Sequence, residues 1–241
     1  MTKHLRYDDL RTDTVRQVAK LMAAAAITAP KSGGQLFIAG KHNFIETVIV
    51  EDADTRHQLA EWLRARGKER REAIWFRDAD VAEAIDAVLF VGLSDWYPPN
   101  YDCGACGYAT CAEFLHATKP LRDDSAELEF VGPTCNLRDI DLGIAVGSAA
   151  KTAAIHSIDC RCQTRIAVAA RKLGIIDADI AVALSLSLTA KAVGFDRRIA
   201  EVDVDSLEYE PTGTLPIGVE GGERYGGVRN RQQPRRPLSE P

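Results

Sequence analysis

The alternation of apolar and polar positions predicts a mixed α+β protein. Residues 8–26 and 54–66 carry apolar side chains mostly three or four positions apart, which predicts two amphipathic helices. Short apolar runs of buried-strand length occur at 44–50 (FIETVIV), 73–76 (AIWF), 87–93 (AVLFVGL) and 179–188 (DIAVALSLSL). The segment between the second and third runs has a helical pattern, and two Ala-rich helices are predicted over 139–158 and 163–173.

Turn-forming residues interrupt this pattern at 94–108, where the sequence reads SDWYPPNYDCGACGY, and again near the C-terminus. The last 31 residues hold six Gly, five Pro and five Arg, too little apolar content to offset the entropy of ordering. We therefore expect one main α+β domain with an inserted segment and a flexible or extended tail. The expected parts are 1–93 and 138–210 for the main domain, 94–137 for the cysteine-rich segment and 211–241 for the tail.

The composition argues against two classes of binding partner, nucleic acids and membranes. A net charge of -5 and an aromatic content of 7% argue against binding to nucleic acid, which needs basic surfaces and stacking side chains. The first dozen residues lack the apolar core of a secretory signal, and the longest apolar runs are shorter than a membrane span. We expect a cytoplasmic protein with no membrane partner.

The strongest chemical pattern is a cysteine cluster. Cys103-Gly-Ala-Cys106-Gly-Tyr-Ala-Thr-Cys111 is followed by Cys135, and a [4Fe–4S] cluster is usually held by four thiolates. A C-x2-C turn lets two thiolates reach one inorganic core, and its glycines allow a tight turn. We therefore predict that Cys103, Cys106, Cys111 and Cys135 bind a [4Fe–4S] cluster, with Cys111 in the first turn of a short helix.

Other interpretations of the cysteines stay open. Structural zinc also uses four cysteines, but usually in two C-x2-C pairs, and a single pair also occurs in thioredoxin-like redox sites. Four unliganded cysteines are a further alternative. Cys160 and Cys162 lie close to His156 and would ligate a metal or second cofactor, or would simply be buried as small apolar side chains. His156 and Cys160 would share a helix face if the preceding helix continued that far.

The run CGACGYATC resembles the small iron–sulfur domain of corrinoid iron–sulfur proteins and of the B subunit of Rnf electron-transport complexes. The resemblance implies that a C-G-x-C-G-x-x-x-C run and a later cysteine ligate [4Fe–4S]. A wider set of segments resembles prokaryotic "ferredoxin domain-containing" proteins; it comprises TAPKSGG, RDAD, CGACGYATC, IDLGIAVGSAAKTAA, LSLSLTAK and FDR. Where those proteins have Asp-Asn-Arg, this chain has Asp159-Cys160-Arg161.

The order of elements also resembles nitroreductase-type flavoproteins. This resemblance implies a nitroreductase-like scaffold and an FMN whose ring meets the loop at 28–34, where small residues allow close approach. The candidate flavin-binding residues are Lys31, Ser32 and Gly33 near the ring, with Lys191 and Arg197 near the phosphate. The alternative is that the loop only ends a helix and that the basic residues are solvated.

These patterns favour an iron–sulfur protein in which electron transfer is coupled to flavin-dependent reduction, with a redox partner protein or a small-molecule substrate. Whether the chain is an enzyme, as a flavin/iron–sulfur oxidoreductase, stays open. A homodimer is expected, because nitroreductase-type scaffolds build the flavin site across a dimer and the small-residue face of 143–154 suits close helix packing. Asp139 and Asp141 are expected to cap that helix. The alternatives are a cluster-bearing accessory module for a metalloenzyme and a zinc-stabilised interaction protein.

Overall fold

The computed structural model describes residues 6–32, 43–125 and 128–189, together with the backbone of two short strands near the C-terminus. The helices are α1 (Tyr7–Thr28), α2 (Ala53–Arg70), α3 (Ala73–Ala84), α4 (Cys111–Ser125), α5 (Asn136–Ile155) and α6 (Thr164–Lys172). The strands are β1 (Ile45–Val50), β2 (Ala87–Leu93), β3 (Asp159–Gln163), β4 (Ile180–Ser187), β5 (Glu201–Asp203) and β6 (Glu208–Glu210). The predicted α+β class is confirmed.

The first four strands form an antiparallel sheet in the order β1-β2-β4-β3. Strand β2 is central and every one of its residues is buried, which explains its unbroken apolar sequence. Its register pairs Leu93 with Ile45 of β1 and with Ile180 of β4. The short β5 and β6 pair with each other in a separate two-stranded sheet.

Helices cover both faces of the four-stranded sheet. Helices α1 and α5 pack on one face, where Met22 and Ala149 meet Leu89 of β2 in one apolar core. Helices α2, α3 and α6 pack on the other, where Leu63 and Ile166 belong to a second core. Side chains of β2 contribute alternately to the two cores, because successive side chains of a strand point to opposite faces. No helix within the described ranges has the length and apolar content needed to cross a membrane.

Two predictions of local structure are wrong. The run at 73–76, predicted as a strand, forms the first turn of α3, where Trp75 and Phe76 are buried. Phe76 packs so closely on α2 that a Cβ added at Gly67 would lie 2.7 Å from its ring. The two Ala-rich helices also differ from their predicted bounds: α5 begins and ends three residues earlier, and α6 is shorter by one residue at each end, with β3 between them, paired with β4. Packing against α2 in the first case and pairing with β4 in the second override the local pattern.

Candidate metal centre

Four cysteines line one small cavity that opens to solvent. Cys103 and Cys106 come from the loop that follows β2, Cys111 is the first residue of α4, and Cys135 immediately precedes α5. Cys103 is exposed, Cys106 is half-buried, and the other two are buried. The fold thus brings together the four residues predicted as cluster ligands, with one at the surface and two inside.

The C-x2-C turn depends on left-handed backbone. Gly104 has φ +72° and Gly107 has φ +87°, a region that L side chains rarely adopt. The N–H of Gly107 donates to the carbonyl oxygen of Gly104 at 2.9 Å and closes the turn. A Cβ at either glycine would meet no atom within 4 Å, so it is the backbone angle and not the available space that favours glycine.

Local hydrogen bonds hold Cys111 at the start of α4, as predicted. The N–H of Glu113 donates to Oγ1 of Thr110 at 3.1 Å, which caps the helix, and the Glu113 carboxylate accepts from the N–H of Ala109 at 3.2 Å. Asp102 accepts from the N–H of Cys111 at 2.7 Å. The segment between Cys103 and Cys111 is therefore anchored to the helix at two points.

Cys135 is the N-cap residue of α5, so the prediction that Asp139 and Asp141 cap this helix is wrong. Burial raises the pKa of the Cys135 thiol, while the nearby backbone N–H groups of Arg138 and Leu137 and the charge of Arg138 act in the opposite direction. The side-chain amide of Asn136 donates to the carbonyl oxygen of Ala105 at 2.7 Å. This bond ties the start of α5 to the C-x2-C turn.

An aromatic group forms the inner wall of the cavity. Phe114 and Tyr108 line it, with their rings 5.7 Å apart in edge-to-face geometry. Trp96 lies behind Phe114 at 6.5 Å, and its indole N–H donates to Asp179 at 2.7 Å. The guanidinium of Arg122 covers the Trp96 ring at 4.5 Å. Such an apolar shell limits water access to a metal centre and influences its potential.

The loop after α1 is pinned to α5. Ser32 donates from its N–H and its hydroxyl to one oxygen of Asp141, at 2.7 and 3.0 Å. The Lys31 ammonium donates to the carbonyl oxygens of Ala26, Ile27 and Ala29 at 2.7–2.9 Å, at the C-terminal end of α1. Burial lowers the pKa of Lys31 to about 8, against an opposing effect of Asp141. Lys31 therefore remains mostly protonated at neutral pH.

Arg138 connects this loop to the cysteine loop. It is 2% exposed and donates to the carbonyl oxygens of Tyr97 and Ser32, at 2.6 and 3.1 Å, and to Asp141 at 2.8 Å. Its guanidinium also lies 4.0 Å from the centroid of the Phe44 ring. The sequence prediction did not include Arg138; its one signal is a basic residue three positions after a predicted ligand cysteine, next to an Ala-rich segment.

The remaining flavin candidates, Gly33, Lys191 and Arg197, lie outside the described residues, as does the tail from 211. Their predicted roles stay predictions.

Cys160 and Cys162 lie on β3, away from the cavity. Helix α5 ends at Ile155, so His156 and Cys160 do not share a helix face; the two cysteines instead share one face of a strand. They are paired in register with Leu186 and Leu184 of β4. Burial raises the pKa of Cys160 to about 12, and Cys162 contributes to the shift. Cys160 packs against the core formed by α1 and α5.

Comparison with known proteins gives two family matches. Residues 131–197 match a family described as "Uncharacterized protein containing a ferredoxin domain", and residues 99–118 match one described as "Putative Fe-S cluster". The second match contains three of the four cavity cysteines. The chain is also 37% identical over 193 residues to an uncharacterized protein of Archaeoglobus fulgidus, covering 80% of this chain and 97% of that protein.

Solved structures also resemble the chain. One is NfrA1 of B. megaterium, with 11% identity and a TM-score of 0.42; the match covers 73% of this chain and 59% of NfrA1. Another is a nitroreductase-like protein of Streptococcus mutans, with 13% identity and a TM-score of 0.41, covering 73% of this chain and 79% of that one.

Proposed function

The chain belongs to the family of uncharacterized proteins containing a ferredoxin domain and is an iron–sulfur protein, and we propose that it transfers electrons through one [4Fe–4S] cluster. The ligands in this proposal are Cys103, Cys106, Cys111 and Cys135. The observation that supports it most directly is that these four, and neither cysteine of β3, line a single cavity. When bound, such a cluster accepts and donates single electrons.

The sequence pattern favours an iron–sulfur core over zinc in this proposal. Structural zinc sites with four cysteines usually carry two C-x2-C pairs, whereas this chain has the single pair Cys103 and Cys106. The match of residues 99–118 to a family described as a putative Fe-S cluster supports the same core.

In this proposal, residues around the cavity have three different roles: they exclude water, stabilise negative charge and expose one edge to a partner. Phe114 and Tyr108 exclude water on the inner side, and the N-terminal end of α5 places N–H groups beside Cys135, where they stabilise negative charge. Cys103 stands at the exposed edge. We infer that electrons enter and leave on the Cys103 side, where a redox partner can approach most closely.

Anaerobic reconstitution with iron and sulfide tests the proposal. The expected product holds about four iron and four sulfide per chain and shows a broad absorption shoulder near roughly 400 nm that dithionite bleaches and mild oxidation restores. A tightly bound zinc ion with no sulfide would support the zinc-stabilised interaction protein instead. A bound cluster that does not change redox state reversibly would support the accessory module.

A flavin partner is the second candidate, and the contacts of Ser32 support it. The loop expected to meet FMN is joined through Asp141 and Arg138 to the helix that carries Cys135. A flavin at this loop would lie close to the cluster, so that single electrons from the cluster can be paired for a substrate. In this proposal Lys31 and Gly33 border the ring.

Calorimetric titration of FMN into the anaerobic protein tests this candidate. Arg197→Ala should weaken binding by about 1.5–3 kcal/mol, because a charge-assisted phosphate contact is lost. Lys191→Ala should act in the same direction, whereas Lys31→Met should lower the flavin potential more than the affinity. No binding at about 100 μM FMN would leave a cluster-only carrier.

We also propose a homodimer through α5. Its outer face exposes Ile140, Ile144 and Ile155 by 55%, 39% and 67%, and Gly143 and Gly147 leave open space beside them. Exposed apolar patches of this kind are typical of protein interfaces. Light scattering of the cluster-loaded protein should give a dimer mass, and Ile144→Lys should shift it to the monomer. A monomer mass for the wild type at micromolar concentration would contradict the dimer.

A further inference from the structure

Arg138 occupies an unusual place for a buried cation. It lies in the first turn of α5, where the positive end of the helix dipole disfavours positive charge. Acidic side chains are the ones that normally stabilise this position. The stability of the helix therefore does not account for an arginine here, and a second role has to be sought in its surroundings.

Those surroundings combine a cluster ligand with a buried carboxylate. Cys135 precedes Arg138 by three residues, and Asp141 follows it by three, with a 2.8 Å contact between Nη1 and Oδ2. The side chains of Arg138 and Asp141 are only 3% and 1% exposed, so water screens their fields weakly. Arg138 is the closer of the two to Cys135 along the helix, and the two charges therefore act unequally on it.

We propose that the buried Arg138–Asp141 pair sets the reduction potential of the cluster, with Arg138 raising it and Asp141 lowering it. The proposal rests on the proposed function, because it needs a cluster at Cys135. Reduction adds one electron to the cluster, with no bond made or broken, and so adds one negative charge. A nearby cation stabilises that charge, and a nearby carboxylate opposes it.

Redox titration of the cluster-loaded protein, with dithionite as the reductant, tests this proposal. Arg138→Met removes the cation and should lower the ratio of reduced to oxidised cluster at a fixed potential by about tenfold, equivalent to about 59 mV. Asp141→Asn should move the ratio in the opposite direction by a smaller factor. Arg138→Lys keeps the charge and should stay close to the wild type.

A matched control lies on the other face of the sheet. Asp78 is fully buried and is paired with Arg77 and Arg165, so Asp78→Asn also disturbs a buried ion pair but far from the cavity residues. It should lower stability and leave the cluster potential unchanged. A merely structural role for Arg138 would lower cluster occupancy in both Arg138→Met and Asp141→Asn without opposite shifts in potential.

The outcomes separate the two proposals. A wild-type protein that takes up no iron and sulfide contradicts the proposed function itself. A wild-type protein with a normal cluster, but with potentials that move in the same direction or not at all in Arg138→Met and Asp141→Asn, overturns only the role of the ion pair. If Arg138→Met does not fold, a higher ratio of reduced to oxidised cluster in Asp141→Asn beside an unchanged ratio in Arg138→Lys still supports the proposal, and an unchanged ratio in Asp141→Asn overturns it.

Discussion

Cys111 and Cys135 begin helices beside a solvent-open cavity, whereas Cys160 and Cys162 lie on a strand at one end of the described four-stranded sheet. The first pair belongs to a set of four sulfurs that face one space and are joined by backbone turns and caps. The second pair is placed beside Leu186 and Leu184 of β4. We therefore expect the local backbone to decide the chemistry of each cysteine: loops and helix N-termini present sulfur to a ligand, whereas β3 packs Cys160 against the core and leaves Cys162 exposed.

The largest expected effect is on the free energy of unfolding, where Cys160→Ser should differ from Cys162→Ser. Cys160→Ser places a hydroxyl group at a site where burial already shifts the thiol pKa, and it should lower the free energy of unfolding of the cluster-loaded protein by about 1–3 kcal/mol. Iron content should not change. Cys162→Ser, at the exposed position of the same strand, is the matched control and should stay within about 0.5 kcal/mol. Urea unfolding followed by circular dichroism measures both, and loss of iron from Cys160→Ser would contradict the comparison.

Backbone strain should produce the next effect. Gly107→Ala forces an L side chain into φ +87° and should cost about 1–2 kcal/mol, reducing cluster retention under a chelator. Gly143→Ala is the control, because its helical position also has open space and alanine is favoured there by about 0.5–1 kcal/mol. The two substitutions should therefore change the free energy of unfolding with opposite signs. Equal effects would mean that the turn does not depend on left-handed backbone.

The smallest effect, counted per pH unit, is the dependence of folding stability on pH. The pKa of Cys160 is raised in the folded protein, so the stability that its protonated thiol contributes is complete below the unfolded pKa of about 8.5 and is lost as the pH rises towards about 12. Between about pH 9 and 11, the wild type should lose stability relative to Cys160→Ala, by less than about 1.4 kcal/mol per pH unit, since the thiol is partly exposed. Parallel stability curves for the wild type and Cys160→Ala would contradict the half-buried placement of the Cys160 thiol.

The sequence predicted those parts of the fold and site that depend on local pattern. The unbroken apolar run of β2 and the helical pattern of α1 were sufficient on their own, and both elements are confirmed. The four cysteines predicted as ligands line one cavity, and their binding of a cluster stays a prediction. β3 was missed because only pairing with β4 makes it a strand. The role proposed for Arg138 depends on a placement fixed by contacts with Ser32 and Tyr97, more than forty residues away along the chain. No local pattern encodes such contacts.

The most direct test of the central claim is the iron and sulfide content of six single Cys→Ser variants, each reconstituted in the same way. We expect Cys111→Ser and Cys135→Ser to lose most of the cluster, and Cys103→Ser and Cys106→Ser to lose it or retain it in altered form. Cys160→Ser and Cys162→Ser should keep about four iron and four sulfide per chain. An empty Cys160→Ser protein beside a fully loaded Cys135→Ser protein would contradict the assignment of the cavity as the cluster site.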